Sequence, residues 1–366
     1  MMSTSSVQFR TEDSSAVRLG VIGAGFIGLK HAGIVADLPG CRLVGVSDPN
    51  PTAEKVAEGL GTRYFADFQE MIRAERPEGV IIATPTELHA SVGIACAEKG
   101  LHLMVEKPIA SNLASARDLT AAARKNGVHL LVGHHRRFNP LVEAAKRIVQ
   151  SGQLGRMAAV SVLWTLLKPV DYFDIDWHRQ KGAGPLLTNL IHDVDNLRYI
   201  CGEIQRVYAE VNNRGRGFEV EDTACISLRF ASGILGSVMV SDCVPSQWSY
   251  EATTGENPFF FHTPEDCYLF FGMAGSLAFP TMRLVRYASP AAAGWQHPLL
   301  IEPVAVTRQD PLVRQIMHFG AVIRGKEKPR TSGEDGLRSL AVVQAVLDSG
   351  RTGQPVTVLP ESHLPL

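Results

Sequence analysis

Glu106-Lys107-Pro108 sets a lysine between an acid and a proline, directly after the apolar run Leu101–Val105. A desolvated lysine shifts its pKa readily, so Lys107 could give or take a proton. Glu106 beside it could position the ammonium. The purely structural alternative is a surface lysine capping a strand. A second group lies in Gly182–Asp195, where a glycine-rich lead-in and Pro185 open a helix carrying Thr188, Asn189, His192 and Asp195. Thr188 and His192 are at i and i+4 and should share a face. His192 and Asp195 are at i and i+3, so Asp195 is expected to orient the ring. A histidine with an acidic orienter is a common acid/base device. A lone helix histidine is more often structural.

A third group suggests a cofactor for such chemistry. The apolar run Val17–Ile22 leads into Gly23-Ala24-Gly25-Phe26-Ile27-Gly28 and then a helix-compatible stretch that includes His31. Gly-x-Gly-x-x-Gly between a strand and a helix is the dinucleotide fingerprint. Gly23 permits the tight turn, Gly25 lets backbone approach a pyrophosphate, and Gly28 packs helix on strand. Phe26 and Ile27 lie within that turn, where the helix N-terminus favours an anion. A second strand, Arg42–Ser47, ends in Asp48, about 20 residues past Gly28, where an acid binds the adenosine ribose hydroxyls. Asp48 would repel a 2′-phosphate, and Pro49-Asn50-Pro51 has no arginine to bind one. These residues argue for NAD over NADP. A strand-capping aspartate with no cofactor is the competing reading.

The elements that must carry these groups follow from patterning. Apolar strands at Val17–Ile22, Arg42–Ser47, Gly79–Thr84, Leu101–Val105 and Val128–Val132 alternate with helical stretches such as Thr86–Lys99 and Ser111–Asn126. Ser111 is the expected N-cap and Gly127 the stop of the latter helix. This alternation predicts a doubly wound parallel sheet. Ligands bind beyond the carboxyl ends of such strands, which places Thr84-Pro85, Glu106 and Lys107 near the nicotinamide end, with His89 and His134 near the same edge. After Asn139 the pattern changes. A helix at Leu141–Gln150 precedes period-two strands at Thr223–Phe230 and Ile234–Val240, which predict an antiparallel sheet with one packed face. One helix is expected at Leu186–Ile200, an irregular loop at Thr253–Pro264, and helices at Pro311–Arg324 and Gly333–Ser349. The domains read as a flexible tail over 1–16, a dinucleotide-binding unit over 17–139, and a substrate-binding α/β unit over 140–366.

The 366 residues suffice for two cores, and a net charge of −1 gives no general reason to bind nucleic acid or an anionic membrane. No apolar run approaches the length of a membrane span, and the polar start lacks the apolar region of a secretion signal. Six scattered cysteines without Cys-x-x-Cys read as reduced, mostly buried thiols of a cytoplasmic protein. His134 and His135 are adjacent, not at metal-ligand spacing, and no metal site is expected.

Taken in order, the fingerprint with His31, Thr84-Pro85 with His89, Glu106-Lys107-Pro108, and the helix ending in His192-Asp193-Val194-Asp195 resemble the Gfo/Idh/MocA family of glucose–fructose oxidoreductases, inositol dehydrogenases and rhizopine-catabolism proteins. The resemblance spans about Val17 to Val356. It implies a Rossmann domain followed by an α/β domain with a large, mainly antiparallel sheet. The open face of that sheet commonly mediates oligomerisation, so a homodimer or homotetramer is implied. The family's catalytic lysine falls on Lys107 and its catalytic histidine on His192. Thr188 stands where many members carry an aspartate, and a threonine hydroxyl cannot hold a negative charge near neutral pH. Ala183 replaces a frequent glycine.

The reading that follows is an NAD-dependent dehydrogenase acting on a secondary alcohol of a sugar, cyclitol, sugar acid or related polyol. His192 would be the base and Lys107 the electrophile, or the reverse, with Thr188 and Asn189 holding neighbouring hydroxyls. Trp164, Lys168, Tyr172, Trp177 and Arg179 are expected to enter the site, the aromatics against a sugar ring and Lys168 or Arg179 on a substrate carboxylate. Core aromatics and solvated charges are the bland alternative. Two rivals share the fold: tightly held NAD used in a redox-cycling lyase or hydrolase, and a non-enzymatic dinucleotide-sensing regulator.

Overall fold

The computed structural model describes residues 15–358, so most of the tail read over 1–16 lies outside the described residues. The first unit alternates strand and helix: β1 (Val17–Ile22), α1 (Phe26–Asp37), β2 (Cys41–Ser47), α2 (Thr52–Gly59), β3 (Tyr64–Phe65), α3 (Phe68–Glu75), β4 (Gly79–Ile82), α4 (Thr86–Ala97), β5 (His102–Val105), α5 (Leu113–Lys125) and β6 (Leu130–Val132). All strand pairs are parallel, in the order β3-β2-β1-β4-β5-β6, the doubly wound arrangement. β4 is buried at every position, as a strand covered on both faces must be. The N-cap of α5 is Asn112, whose side chain accepts from Ser115 N–H, and not Ser111. Gly127 takes φ +67° just past the end of α5.

The second unit continues with α6 (Pro140–Gln150), β7 (Met157–Thr165), α7 (Pro185–Thr188), α8 (Leu190–Cys201), β8 (Ile204–Asn212), β9 (Thr223–Phe230), β10 (Leu235–Ser241), α9 (Tyr250–Thr254), β11 (Tyr268–Gly272), β12 (Ser276–Phe279), β13 (Arg283–Arg286), β14 (Leu300–Pro303), α10 (Pro311–Ile323), α11 (Gly333–Thr352) and β15 (Val356–Thr357). Nine strands form one sheet in the order β14-β13-β12-β11-β7-β10-β9-β8-β15. It is mostly antiparallel, with β10 and β7 paired in parallel. On β9, Ala224, Ile226, Leu228 and Phe230 are buried, as their alternation requires. They share a core with Ile148 of α6, Leu197 of α8 and Val343 of α11. The opposite face leaves Leu235, Met239, Leu269 and Phe271 exposed.

The single helix expected at Leu186–Ile200 is instead two helices, broken at Asn189 (φ −118°, ψ −55°). The loop expected at Thr253–Pro264 begins two residues late, because Thr253 and Thr254 close the short helix α9, capped by Ser249. Helix α10 returns to the first unit: Ile316 and Phe319 share a core with Val17, Leu19 and Val21. Thr331 then hydrogen-bonds the Val132 carbonyl at 2.7 Å. Cys96, Cys201 and Cys267 are buried, but Cys225 is exposed, and all six cysteines are free thiols. No helix of the described residues is long and apolar enough to cross a membrane.

Candidate active site

Four strand ends of the parallel sheet open on one cleft. β1 leads into the fingerprint turn, β4 into Thr84-Pro85, β5 into Glu106-Lys107 and β6 into His134–Arg137. The facing wall comes from α8 and from α9 with the loop after it. Together they enclose a cavity of about 380 Å³, whose lining includes Phe26, Ile27, Thr84, Lys107, His135 and His192.

The lysine is held from both units. Its ammonium donates to the Thr188 carbonyl at 3.0 Å. That carbonyl sits at the break before Asn189, where the helix no longer uses it in a regular ladder. Burial pushes the Lys107 ammonium below the ordinary lysine value, and Glu106 pulls the other way. Burial alone would raise the Glu106 carboxyl, but the His31 hydrogen bond at 2.7 Å and the Lys107 charge outweigh it and hold it at about 2. Gly133 is where Glu106 fits: a Cβ there would meet the carboxylate at 2.8 Å. The Lys107–Pro108 bond is cis.

His192 is 6% exposed. Burial, then the Lys107 and Arg136 charges, hold its pKa well below the ordinary value, so it is neutral near pH 7. Its Nδ1 has no hydrogen-bond partner among the described residues. Asp195 does not orient it, contrary to the i, i+3 expectation. Its carboxylate accepts two bonds from Arg137 at 2.8 Å each and one from Ser339 at 2.9 Å. The Thr188 hydroxyl also turns away, shared between the Gly184 carbonyl and Asn189 Oδ1. Neither Thr188 nor Asn189 offers its side chain to the cavity, because the break at Asn189 takes Thr188 off the His192 face.

The remaining wall carries residues that sequence patterning did not single out. Arg136 donates to Asp193 at 3.0 Å and to Glu251 at 2.6 Å, with its guanidinium over the Tyr250 ring. Glu256 accepts from Tyr250 Oη at 2.6 Å and Asn139 Nδ2 at 2.7 Å, and pairs with His135 Nε2 at 2.9 Å. Asn257 and Phe260 complete this side. The run His134-His135-Arg136-Arg137 directly after a strand was an available signal; Glu251 and Glu256 lie in a segment with no periodic pattern.

The five residues expected to enter from the second unit do not reach the cavity. Trp164 is fully buried, its indole N–H donating to Glu251 at 2.9 Å, because β7 points it into the core. The Lys168 ammonium pairs with Asp242 at 3.1 Å and lies over the Tyr172 ring. Tyr172 stacks on His178, Trp177 is 53% exposed, and Arg179 pairs with Asp176. His89 borders the cavity, but its ring nitrogens face the carbonyls of Pro108 and Thr84 at 2.8 and 2.9 Å. As a neutral ring it donates to one of these carbonyls, and with both nitrogens turned to backbone it presents neither to the cavity. His134 is buried, 3.9 Å from Asp195, with neither nitrogen hydrogen-bonded among the described residues.

Residues 17–134 match a family described as an oxidoreductase family with an NAD-binding Rossmann fold, and residues 142–277 match the GFO/IDH/MocA C-terminal domain. Over 365 residues the chain is 30% identical to the inositol 2-dehydrogenase of Rubrobacter xylanophilus, with 94% of each chain covered. The chain belongs to the Gfo/Idh/MocA oxidoreductase family. The scyllo-inositol 2-dehydrogenase (NAD(+)) of Bacillus subtilis is 29% identical, covering 93% of this chain and 96% of that one. The WlbA dehydrogenase of Bordetella pertussis, solved with NADH and UDP-GlcNAcA, superposes with a TM-score of 0.77 at 26% identity, over 94% of this chain and 99% of that one.

The Gfo/Idh/MocA fingerprint here fits a dinucleotide. A Cβ on Gly28 would stand 2.0 Å from the Gly23 carbonyl oxygen, and Gly23 itself has φ +94°. A Cβ on Gly25 would meet nothing within 4 Å, so its surroundings are open to a ligand. The Thr84 hydroxyl at the next strand end is buried without a partner among the described residues. Asp48 accepts from the Ala24 N–H at 2.6 Å and the Asn50 N–H at 2.8 Å, which fixes its carboxylate beside the turn.

Proposed function

We propose that this chain is an NAD-dependent dehydrogenase that oxidises a secondary hydroxyl of an uncharged cyclic polyol, a cyclitol or sugar, or reduces the matching ketone. One observation carries the reading. Lys107 and His192, from opposite units, line the same cavity as Phe26 and Ile27 of the fingerprint. NAD bound at the fingerprint would supply the hydride acceptor. The neutral His192 ring accepts the hydroxyl proton. The Lys107 ammonium, steadied by Glu106 and the Thr188 carbonyl, donates to the substrate oxygen as carbonyl character develops.

The charges around the cavity favour an uncharged substrate. Arg136 already satisfies Asp193 and Glu251, and Lys168 and Arg179 are paired elsewhere, so none is set to bind a carboxylate. Glu251 and Glu256 add negative charge to the same wall, which disfavours an anionic substrate. Asp48, with no arginine in Pro49-Asn50-Pro51, favours the ribose of NAD over the phosphate of NADP. The dehydrogenase names of the relatives support net oxidation over redox cycling or sensing.

The test is NADH absorbance at mildly alkaline pH with cyclitols, sugars and their uronates, and NAD and NADP in parallel. The expected result is a signal with NAD and a neutral polyol. Product without net NADH supports redox cycling, and a signal only with the uronates overturns the charge argument.

A further inference from the structure

His192 has no acid of its own, since Asp195 is taken by Arg137 and Ser339 and position 188 carries a hydroxyl turned elsewhere. A proton placed on it would sit beside Lys107 and Arg136, both cations. Such a proton must leave quickly for the ring to serve again. We propose that His135 and Glu256 form the proton exit from His192: the proton passes to His135, whose imidazolium Glu256 stabilises, and then to solvent. The inference rests on the dehydrogenase reading.

Four observations carry it. The His135 and His192 rings meet edge to face at 73°, with centroids 5.2 Å apart. No hydrogen bond joins the two rings directly among the described residues, so the proton crosses this gap by way of a bridging water. His135 Nε2 is 2.9 Å from Glu256 Oε1, and the carboxylate is itself fixed by Tyr250 and Asn139. Burial works to raise the Glu256 carboxyl, but His135 and these hydrogen bonds hold it at about 2, so it is anionic throughout the working range. The His135 side chain is 21% exposed, so it can deliver a proton to water. His134 does not qualify: its ring is 6.3 Å from His192 and it is 1% exposed.

The step balances without a co-reactant. The substrate O–H bond breaks as an N–H forms on His192. An N–H of the resulting imidazolium then breaks as one forms on His135, and water takes the proton from there. The titratable and charged groups around the two rings are Glu256, Glu106 and Glu251 on one side of the balance and Lys107, Arg136 and His134 on the other. The cations drive the proton off His192, and Glu256 draws it to His135.

His135→Gln should lower kcat on the order of 10²-fold, the low end of a positioned proton-transfer group. The polyol KM should not change, and added imidazole should restore turnover. Full turnover, or a loss that imidazole does not restore, overturns the relay. A second measurement needs no turnover, so it stands even if no polyol is oxidised. In protein with ¹⁵N-labelled histidine, Glu256→Gln should move the His192 titration to higher pH, because His135 then carries less positive charge beside it, and should do so only while His135 is present. An equal shift in the His135→Gln background, or no shift, contradicts the proposal.

Discussion

Lys107 and His192 share one cavity, yet their neighbours push them toward different protonation states. His192 is buried and Lys107 half-buried, and desolvation disfavours charge on each. Lys107 is compensated by the Glu106 carboxylate and the Thr188 carbonyl. His192 instead faces two cations and stays neutral. Groups whose environments differ in this way divide acid and base roles. Asp48 is the residue that should decide the cofactor. Asp48→Ala should weaken NADH binding by about 10-fold or more, as expected for loss of a charged hydrogen-bond acceptor, and weaken NADPH binding less. Fluorescence titration with both cofactors checks this, and equal losses would contradict it. The placement of Lys107 and His192 on one cleft and of Asp48 beside the glycine turn was legible in the sequence, because each follows a short motif at fixed spacing from a strand or glycine. The partner of Asp195 was not, because Arg137 reaches it from another element. Glu251 and Glu256 were not legible because no periodicity marks their segment.

At the level of elements, the strand ends do the positioning. The parallel strands were readable as continuous apolar runs, and their carboxyl ends fell where the cleft opens. The break between α7 and α8 was not readable, since Leu186–Ile200 carries helical periodicity throughout. That break releases the Thr188 carbonyl toward Lys107 and removes the Thr188 hydroxyl from the His192 face. The fingerprint turn gives a paired prediction. Gly25→Ala should keep its thermal stability but lose dinucleotide affinity, because its Cβ meets only open space where a pyrophosphate would approach. Gly28→Ala should lower the melting temperature, because its Cβ overlaps the Gly23 carbonyl. Small-to-large changes in packed sites cost about 1–3 kcal/mol. Melting curves and cofactor titration of both variants separate the two effects, and a destabilised Gly25→Ala with intact affinity would contradict the assignment.

The whole molecule places the candidate site at a seam. The parallel sheet supplies the fingerprint, Glu106, Lys107 and His135, and the second unit supplies His192, Glu251 and Glu256. The seam is held by buried pairs such as Arg137 with Asp195, whose disruption typically costs about 3–5 kcal/mol. Helix α10 packs back on β1, so a late element braces the unit formed by the first strands. The two-unit architecture was legible from the change in periodicity after Asn139; this return was not, because an amphipathic helix does not name the surface it covers. The central claim is that Lys107, reaching across the seam, acts on the reacting hydroxyl and not on the cofactor. The most direct measurement is NADH formation by Lys107→Met on its best polyol, with NADH affinity titrated on the same sample. The account predicts turnover reduced by at least about 10²-fold with nearly unchanged NADH affinity. Ordinary turnover, or a loss matched by a parallel loss of NADH binding, would contradict it.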